Sequence, residues 1–389
     1  MSINNFMNIL YQRFKIFADI KKAVLGTAIK KNVNNEASGI QNRCLLIYIT
    51  RPFCANTDIE RHQNIWQSRE LARIIGEYGY IVDVVDYDNR FVKLHNTYDL
   101  VIGLIPRGID VYSNKLNINA KKIAYLTSSN LRFTEESEEK RIQELFQRKG
   151  VLLKVRRKAG RIQKEIEKFD AALFLGNEYN LSSYSEFNMP PVYFIKNNGY
   201  AFNFKIEHKK NPKKFIYFGS TGQVHKGLDL LLDIFSQDEF PCELYVCGYV
   251  KEERDFYNLY YKELNNKCNI HTLGFVDINS DMFIRLTNEC AYSILPSCAE
   301  GQAGSVTAMM SAGVISIVSK ECGFDSEDVV LLPDCKMETI RNYILIYSQK
   351  DQNWVEQESI KMLQKSKEKF SKECFVKSIR EGLNSVLLD

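Results

Sequence analysis

The residues best suited to chemistry lie in one short loop, Glu300-Gly301-Gln302-Ala303-Gly304-Ser305. The loop follows an apolar run at 292–295 and precedes a helical pattern at 306–312. Its glycines let the backbone approach a ligand, Ser305 can cap the helix, and the first amides, near Val306, would carry the positive end of the helix dipole. Glu300 would repel a phosphate but accept hydrogen bonds from sugar hydroxyls. The loop suits a sugar joined to a phosphate, although an ordinary capped helix has the same pattern.

A second loop has a similar design. The apolar run 214–218 leads into Gly219-Ser220-Thr221-Gly222 and then to Lys226, directly before a helical pattern at 228–236. A lysine at a helix start is mildly unfavourable, because the dipole is positive there, unless an anion lies nearby. We therefore favour a phosphate-binding role for Lys226, such as pairing with a diphosphate, over that of an ordinary helix-start lysine.

The elements that must position these loops alternate between strands and helices. Residues 292–318 read as strand, loop, helix and strand, a βαβ unit whose loop lies where parallel sheets bind ligands. Further helices are predicted over 337–349 and 352–388. In the first half of the chain, buried strands are predicted at 44–49, 80–85, 98–105, 122–126, 171–175 and 192–195. Such alternation predicts an α/β fold with parallel sheets.

Length and composition limit the possible classes. A chain of 389 residues should form two domains, and 45% hydrophobic with 26% charged residues is typical of globular proteins. A net charge of +4 is too small for a nucleic-acid binder. Ten cysteines without a CxxC pair argue against a zinc site and indicate reduced thiols in the cytoplasm. Residues 1–40 predict a basic amphipathic helix and linker that either packs on the protein or lies on an anionic membrane.

The sequence from Glu300 to Gly313 resembles the donor-site signature of retaining GT-B glycosyltransferases, especially family 4, also called group 1. Lys226-Gly227 matches the motif that neutralises the donor diphosphate in that family. Phe275-Val276 matches the segment that contacts the nucleotide base. Two departures stand out. Ala308 replaces a second glutamate that usually holds the ribose, and Ser220 stands at or near the position of an arginine.

The resemblance implies a GT-B architecture, with two Rossmann-like, doubly wound domains facing a cleft. The expected divisions are an acceptor domain at 41–205, a nucleotide-sugar domain at 206–370, and a terminal helix at 371–389 that crosses back. The implied reaction moves a sugar from a nucleotide sugar to a saccharide or lipid-linked acceptor with retention, in surface polysaccharide or glycoconjugate synthesis. We expect no cofactor, and no metal because no Asp-x-Asp motif lies among the donor motifs. The implied location is cytoplasmic, with membrane association through the first helix.

The acceptor side carries weaker signals. Ser128, Asn130 and Asn198 follow predicted strands and are expected to line the cleft, and His62 could reach it, although a lone histidine at a helix start is more often a cap. The charged stretch 132–168 is expected to be mainly a solvated helix face, with an acceptor phosphate or lipid headgroup at Arg156 and Arg157 as the alternative. Two other functions stay open: a nucleotide-sugar epimerase, with Glu300 and His62 as its only candidate acid and base, and a binding or scaffolding protein that has lost activity.

Overall fold

The computed structural model describes residues 29–34, 42–89, 92–104, 112–159 and 164–388. The amphipathic helix predicted within 1–40 lies almost entirely outside these ranges. The structure has two α/β lobes, each built on its own sheet. Among the described residues, no helix combines the length and apolar character needed to cross a membrane.

The first lobe contains a seven-stranded sheet in the order β1-β3-β2-β4-β5-β6-β7. All neighbouring strands are parallel except β1, which pairs antiparallel with β3. Its strands are β1 (Ile29–Lys30), β2 (Arg43–Tyr48), β3 (Ile81–Asp86), β4 (Tyr98–Gly103), β5 (Leu116–Leu126), β6 (Ala171–Leu175) and β7 (Val192–Ile195). Its connecting helices are α1 (Gln63–Glu77), α2 (Leu131–Lys149) and α3 (Glu178–Ser182). The strands form because they are short apolar runs bounded by turns, and β6 is buried along its whole length.

The second lobe contains a six-stranded sheet in the order β10-β9-β8-β11-β12-β13, with every pair parallel. Its strands are β8 (Asn211–Phe218), β9 (Glu243–Cys247), β10 (Ile270–Gly274), β11 (Cys290–Leu295), β12 (Ile315–Ser319) and β13 (Val330–Leu332). Its helices are α4 (Leu228–Phe235), α5 (Arg254–Leu259), α6 (Tyr261–Asn266), α7 (Asp281–Glu289), α8 (Gly304–Ser311), α9 (Met337–Ser348) and α10 (Gln352–Lys369). The central strands β8 and β11 are adjacent, so the loops at their carboxyl ends lie side by side.

The predicted helix at 352–388 is two helices, because the chain breaks between α10 and α11 (Lys372–Leu387). Phe370, at the break, is fully buried in the second-lobe core, and Ser371 caps the new helix. Helix α11 then packs against β7 and α1 of the first lobe. Its apolar face, including Phe375, Ile379 and Leu383, completes the core of that lobe.

The solvated face predicted at 132–168 is present on the outer side of α2, where Arg132, Glu136 and Lys140 are exposed, but the opposite side is buried. This helix lies against the second lobe, with Ile142 and Leu145 in the second-lobe core. Arg148 pairs with Asp229 at 2.5 Å and Asp233 at 3.1 Å, both on α4. Charge content alone could not show this, because the acidic partners lie about 80 residues further along the chain.

Residues 150–159, which we term the strap, continue from α2 along the second lobe. Leu153 is buried in the second-lobe core. Arg156 pairs with Glu253 at 2.7 Å and also with Asp255. The backbone amides of Arg156 and Arg157 donate to the buried Glu138 of α2, at 2.8 and 2.6 Å. The strap is therefore fixed between the two lobes by ion pairs and apolar contacts.

Candidate active site

Two loops face the first lobe at the carboxyl edge of the second sheet. The β8 loop, residues 219–227, leads into α4, and the β11 loop, residues 296–303, leads into α8. Gly227 joins the two loops closely. It has a φ of +75°, and a Cβ there would strike the carbonyl of Pro296. Glycine is needed at this point because the start of α4 rests directly on the β11 loop.

Lys226 and Glu300, 74 residues apart in the chain, form an ion pair between the loops. The distance from Lys226 Nζ to Glu300 Oε1 is 2.5 Å. The side chains are only 8% and 18% exposed. Ser297 Oγ donates to the same carboxylate oxygen at 3.0 Å, and His225 Nε2 lies 3.6 Å from it. The structure thus brings together the two residues that the sequence singled out as catalytic candidates.

The environment keeps Glu300 ionised. Burial alone would raise the pKa of its carboxyl group, because the charged form loses water. The positive charge of Lys226 and the hydrogen bond from His225 outweigh burial and hold the pKa of Glu300 well below its usual range. A buried, ionised carboxylate beside a lysine can accept hydrogen bonds from hydroxyl groups once the lysine turns to another anion.

The backbone of the β11 loop is bound to the first lobe. The carbonyl of Glu300 accepts hydrogen bonds from Ser129 N at 2.9 Å, Ser129 Oγ at 2.6 Å and Asn180 Nδ2 at 3.1 Å. A Cβ on Gly301 would collide with the carbonyl oxygens of Thr127 and Leu175, at the ends of β5 and β6. The loop therefore meets the carboxyl edge of the first sheet without a gap.

A second set of hydrogen bonds closes the interface beside α8. Gln63, in the first turn of α1, donates to the hydroxyl of Thr307 at 2.7 Å and to the carbonyl of Asn198. The side chain of Gln302 accepts from Asn197 N at 2.6 Å. These side chains are all buried. Gln302, which the sequence predicted to contact the nucleotide-sugar donor, therefore holds the lobes together in this structure.

The start of α8 differs from the prediction that Ser305 caps it. The N-cap residue is Ala303, and no side chain caps the helix. Ser305 lies inside the first turn and is partly exposed, whereas Val306 is buried. The helix begins two residues earlier than its apolar pattern because Gly304, which lacks a side chain, fits directly against Gln63. Ala308, where the resemblance predicted a glutamate in the family, is buried.

The β8 loop is more open. Ser220 and Thr221 are exposed, and Gly219 donates its amide to the carbonyl of Cys247 at 2.9 Å. The amides of Gly222 and Gln223 are already taken by the carboxylate of Glu253. An anion reaching this loop would meet Ser220, Thr221 and Lys226 rather than the amide of Gly222.

The segment predicted to contact a nucleotide base follows β10. Phe275 is 50% exposed and stacks on Tyr249, with ring centroids 5.0 Å apart. Val276 is 7% exposed and packs in an apolar cluster with Phe283. Phe275 is therefore open to a flat ligand, whereas the side chain of Val276 supports the segment from below.

The predicted acceptor-side residues have structural contacts of their own. His62 is the N-cap of α1 and accepts from Asn64 N at 3.2 Å, which matches the capping alternative. Asn130 caps α2, accepting from Arg132 N at 2.8 Å. Ser128 accepts from the hydroxyl of Tyr184 through its carbonyl, at 3.2 Å. Asn198 is buried and accepts from Gln67 at 2.8 Å.

Sequence reasoning missed the residues that join the lobes: Gln63, Ser129, Asn180 and Asn197. The position of Ser129 indicated a role in the cleft, because it lies between two predicted cleft residues after a strand. The others are single polar residues near the ends of helices or strands, where a polar residue is equally well explained as a helix cap or as a surface residue. Among the described residues, no group of three or more His, Cys, Asp and Glu side chains is arranged to hold a metal ion.

Comparison with known proteins relates this geometry to a family. Residues 201–328 match the sequence model described as Glycosyl transferases group 1, so the match includes both loops. No curated protein sequence matched the chain.

Solved structures share the fold at low sequence identity. Sucrose-phosphate synthase from Thermosynechococcus elongatus is 14% identical, with a TM-score of 0.64 over 90% of this chain and 100% of that one. Anabaena HepE in complex with UDP is 13% identical, with a TM-score of 0.57 over 89% and 100%. TarM of S. aureus is 14% identical, with a TM-score of 0.53 over 73% of this chain, which spans only 54% of the TarM chain. The chain therefore resembles the glycosyl transferases group 1 family over residues 201–328 and has the GT-B fold of two Rossmann-like lobes.

Proposed function

We propose that this protein transfers a sugar from a nucleotide-sugar donor to a saccharide or lipid-linked acceptor, with retention of configuration at the anomeric carbon. The observation that carries the proposal is the ion pair between Lys226 and Glu300 at the ligand-binding edge of the second sheet. One residue can serve the diphosphate and the other the sugar. The family match over 201–328 supports the same reaction class.

In the proposed reaction, the bond from the anomeric carbon to the diphosphate breaks, and its electron pair leaves with the nucleoside diphosphate. The acceptor hydroxyl oxygen forms the new bond to that carbon, and its proton passes to the departing diphosphate oxygen on the same face. Lys226 would stabilise the charge that develops on the diphosphate, an electrostatic effect strengthened by its burial. Because protein groups supply this charge, we propose that the reaction is metal-independent.

Glu300 would orient the sugar ring. Its carboxylate is held in place by Ser297 Oγ, and its backbone is held by Ser129. When the diphosphate draws Lys226 away, the carboxylate needs new hydrogen-bond donors, which the sugar hydroxyls provide. We propose that retention follows from acceptor attack on the face from which the diphosphate leaves, as the resemblance to retaining GT-B enzymes implies.

The donor site would extend from Ser220, Thr221 and Lys226 to Phe275, which can stack on the base. We place the acceptor on the first lobe, near His62 and Ser128. The basic pattern of residues 1–31 supports a peripheral contact with the cytoplasmic membrane surface, where a lipid-linked acceptor for surface polysaccharide synthesis would be located.

A nucleotide-sugar panel tests the proposal. Purified protein is incubated with UDP and GDP sugars, and release of nucleoside diphosphate is measured with and without saccharide acceptors. Sugar transfer or slow donor hydrolysis is expected, and Lys226→Met should abolish it. Lys262→Met, on exposed α6, is a matched control and should retain full turnover.

The alternative function is a binding protein with the same fold and weakened catalysis. It is favoured by two particular positions: Ala308 is buried without a polar group for a ribose, and Ser220 offers no charge to a diphosphate. Thermal stabilisation by nucleotide sugars without any turnover would support this alternative over the transferase.

A further inference from the structure

We propose that Arg157, which belongs to the strap between the lobes, binds the diphosphate of the donor together with Lys226. This inference rests on the proposed function and extends it to a residue of the first half of the chain. The guanidinium of Arg157 reaches across to the β8 loop, where Nη2 donates to the carbonyl of Thr221 at 3.1 Å.

The side chain of Arg157 reaches the turn of the β8 loop that leads to Lys226. A Cβ placed on Gly222 would lie 3.2 Å from Arg157 Nη2 and 3.4 Å from Nε. The carbonyl of that glycine accepts from Lys226 N at 2.9 Å. The guanidinium of Arg157 and the backbone of Lys226 therefore meet at one turn, next to the exposed Ser220 and Thr221, while the ammonium group of Lys226 lies on Glu300.

The charges around this turn leave Arg157 without a counterpart. Lys226 is paired with Glu300, and the neighbouring Arg156 is paired with Glu253 and Asp255. The guanidinium of Arg157 forms no ion pair with any described residue, and its Nε is buried without a hydrogen-bond partner in the described part of the chain. A diphosphate brings at least two negative charges, and a guanidinium with free N–H groups is suited to bind them.

The strap holds this guanidinium in position. The Arg157 amide donates to Glu138 Oε2 at 2.6 Å, and the amide of Ala159 donates to Glu135 Oε2 at 2.9 Å. Arg156, one residue earlier, is pinned to the second lobe at 2.7 Å. An arginine on a fixed backbone loses little freedom on binding an anion, which strengthens the interaction.

Calorimetric titration of the full chain with UDP, GDP, inorganic pyrophosphate and uridine tests this role. For Arg157→Ala, we expect the affinity for the diphosphate ligand that binds the wild type to fall about 10- to 100-fold, while the affinity for uridine stays the same. Lys158→Ala is the matched control. It removes the same charge from the adjacent exposed residue, and we expect no change.

A second variant distinguishes the loss of the Arg157 charge from a loosening of the strap. Adding Ser220→Arg to Arg157→Ala places a cation on the same loop and should restore most of the lost diphosphate affinity, whereas a strap that had merely loosened would not recover. Equal losses for uridine and UDP, or no loss for either, would overturn the role of Arg157. If the wild type binds none of these ligands, the proposed function itself fails, so the two failures are distinguishable.

Discussion

The β8 and β11 loops have the same local design and different surroundings. Each follows a central parallel strand and leads into an eight-residue helix. The β8 loop exposes Ser220 and Thr221, and the strap crosses beside it. The β11 loop is covered by the ends of β5 and β6, so that little beyond the Glu300 carboxylate remains accessible.

This difference teaches that a glycine-rich turn before a helix does not by itself define a ligand site. In the β8 loop, Ser220 and Thr221 stay exposed, so an anion can reach their side chains. In the β11 loop, the absence of side chains at Gly301 and Gly304 admits the other lobe instead. The two loops touch at Gly227 and Pro296 and through the amide of Cys298, which donates to the carbonyl of His225, and their opposite charges meet in the pair of Lys226 and Glu300. This ion pair is the contact whose removal tests how the loops cooperate.

The largest expected effect comes from breaking that ion pair. Lys226→Ala leaves the Glu300 carboxylate buried without its cation, which should lower the free energy of unfolding by about 3–5 kcal/mol. Urea unfolding measures this loss. The double variant Lys226→Met with Glu300→Gln removes both charges and should be more stable than the single variant. A single variant whose free energy of unfolding lies within about 1 kcal/mol of wild type would show that the ion pair does not couple the two loops.

Acid should break the same pair. The pKa of Glu300 is lower in the folded state than its ordinary value of 4.5, so the pair's stabilisation is complete above that pH. It is lost progressively as pH falls below it toward the folded value, because the unfolded chain binds the proton first. Melting temperatures across this range should fall more steeply for the wild type than for the double variant. Parallel curves would contradict the assignment.

We expect an added methyl group to push the lobes apart when it is placed in the β11 loop, but not when it is placed in the β8 loop. Gly301→Ala places a Cβ against backbone carbonyls of the first lobe, which cannot move aside easily, and should cost about 1–3 kcal/mol. Small-angle scattering should show a larger radius of gyration. The nearest atoms to a Cβ in Gly222→Ala are side-chain atoms, Arg157 Nη2 at 3.2 Å and His225 Cβ at 3.4 Å, so its main cost is backbone strain at φ +86° and the lobes should stay closed.

The hydrogen bonds beside α8 should contribute less. Gln63→Ala removes donors to Thr307 and to the carbonyl of Asn198, and we expect a loss of about 1–2 kcal/mol. The control is Gln364→Ala, which breaks a bond to Glu368 on an exposed helix face and should have little effect. Equal unfolding midpoints for the two variants would mean that the interface does not depend on Gln63.

The smallest effect on stability is expected at Phe275, which follows β10. Because this ring is 50% exposed, Phe275→Ala should change stability by less than about 1 kcal/mol. It should nevertheless weaken UDP or GDP binding about tenfold if the ring stacks on the base. Tyr261→Ala, which removes another exposed aromatic ring, serves as the control. Unchanged affinity would place the base elsewhere.

Much of the fold was predictable because its signals are local. The predicted strand at 171–175 is β6, and the predicted strand at 192–195 is β7. Lys226 and Glu300 were identified by the same logic, since each lies in a loop between an apolar strand and a helix. The GT-B fold of two Rossmann-like lobes is confirmed by the sheet topology and the solved structures.

The rest depended on contacts between distant parts of the chain. Gln63 meets Thr307 across 244 residues, and Asn180 meets Glu300 across 120. The type of a polar residue at the end of a helix or strand does not indicate which surface it will contact in the folded protein. The same reason explains α2, where Arg148 would be expected in water from its sequence alone but pairs with Asp229 and Asp233 of α4.

Helix α11 has a consequence for how the protein is made. The first-lobe core needs Phe375, Ile379 and Leu383, which follow every element of the second lobe in the chain. Its sheet strands leave the ribosome before the second lobe, yet their apolar surface stays uncovered until α11 has been made. The second lobe, whose described elements lie between residues 211 and 369 apart from contributions of α2 and the strap, can complete its core sooner. The half of the protein that is translated first is thus the half that finishes folding last.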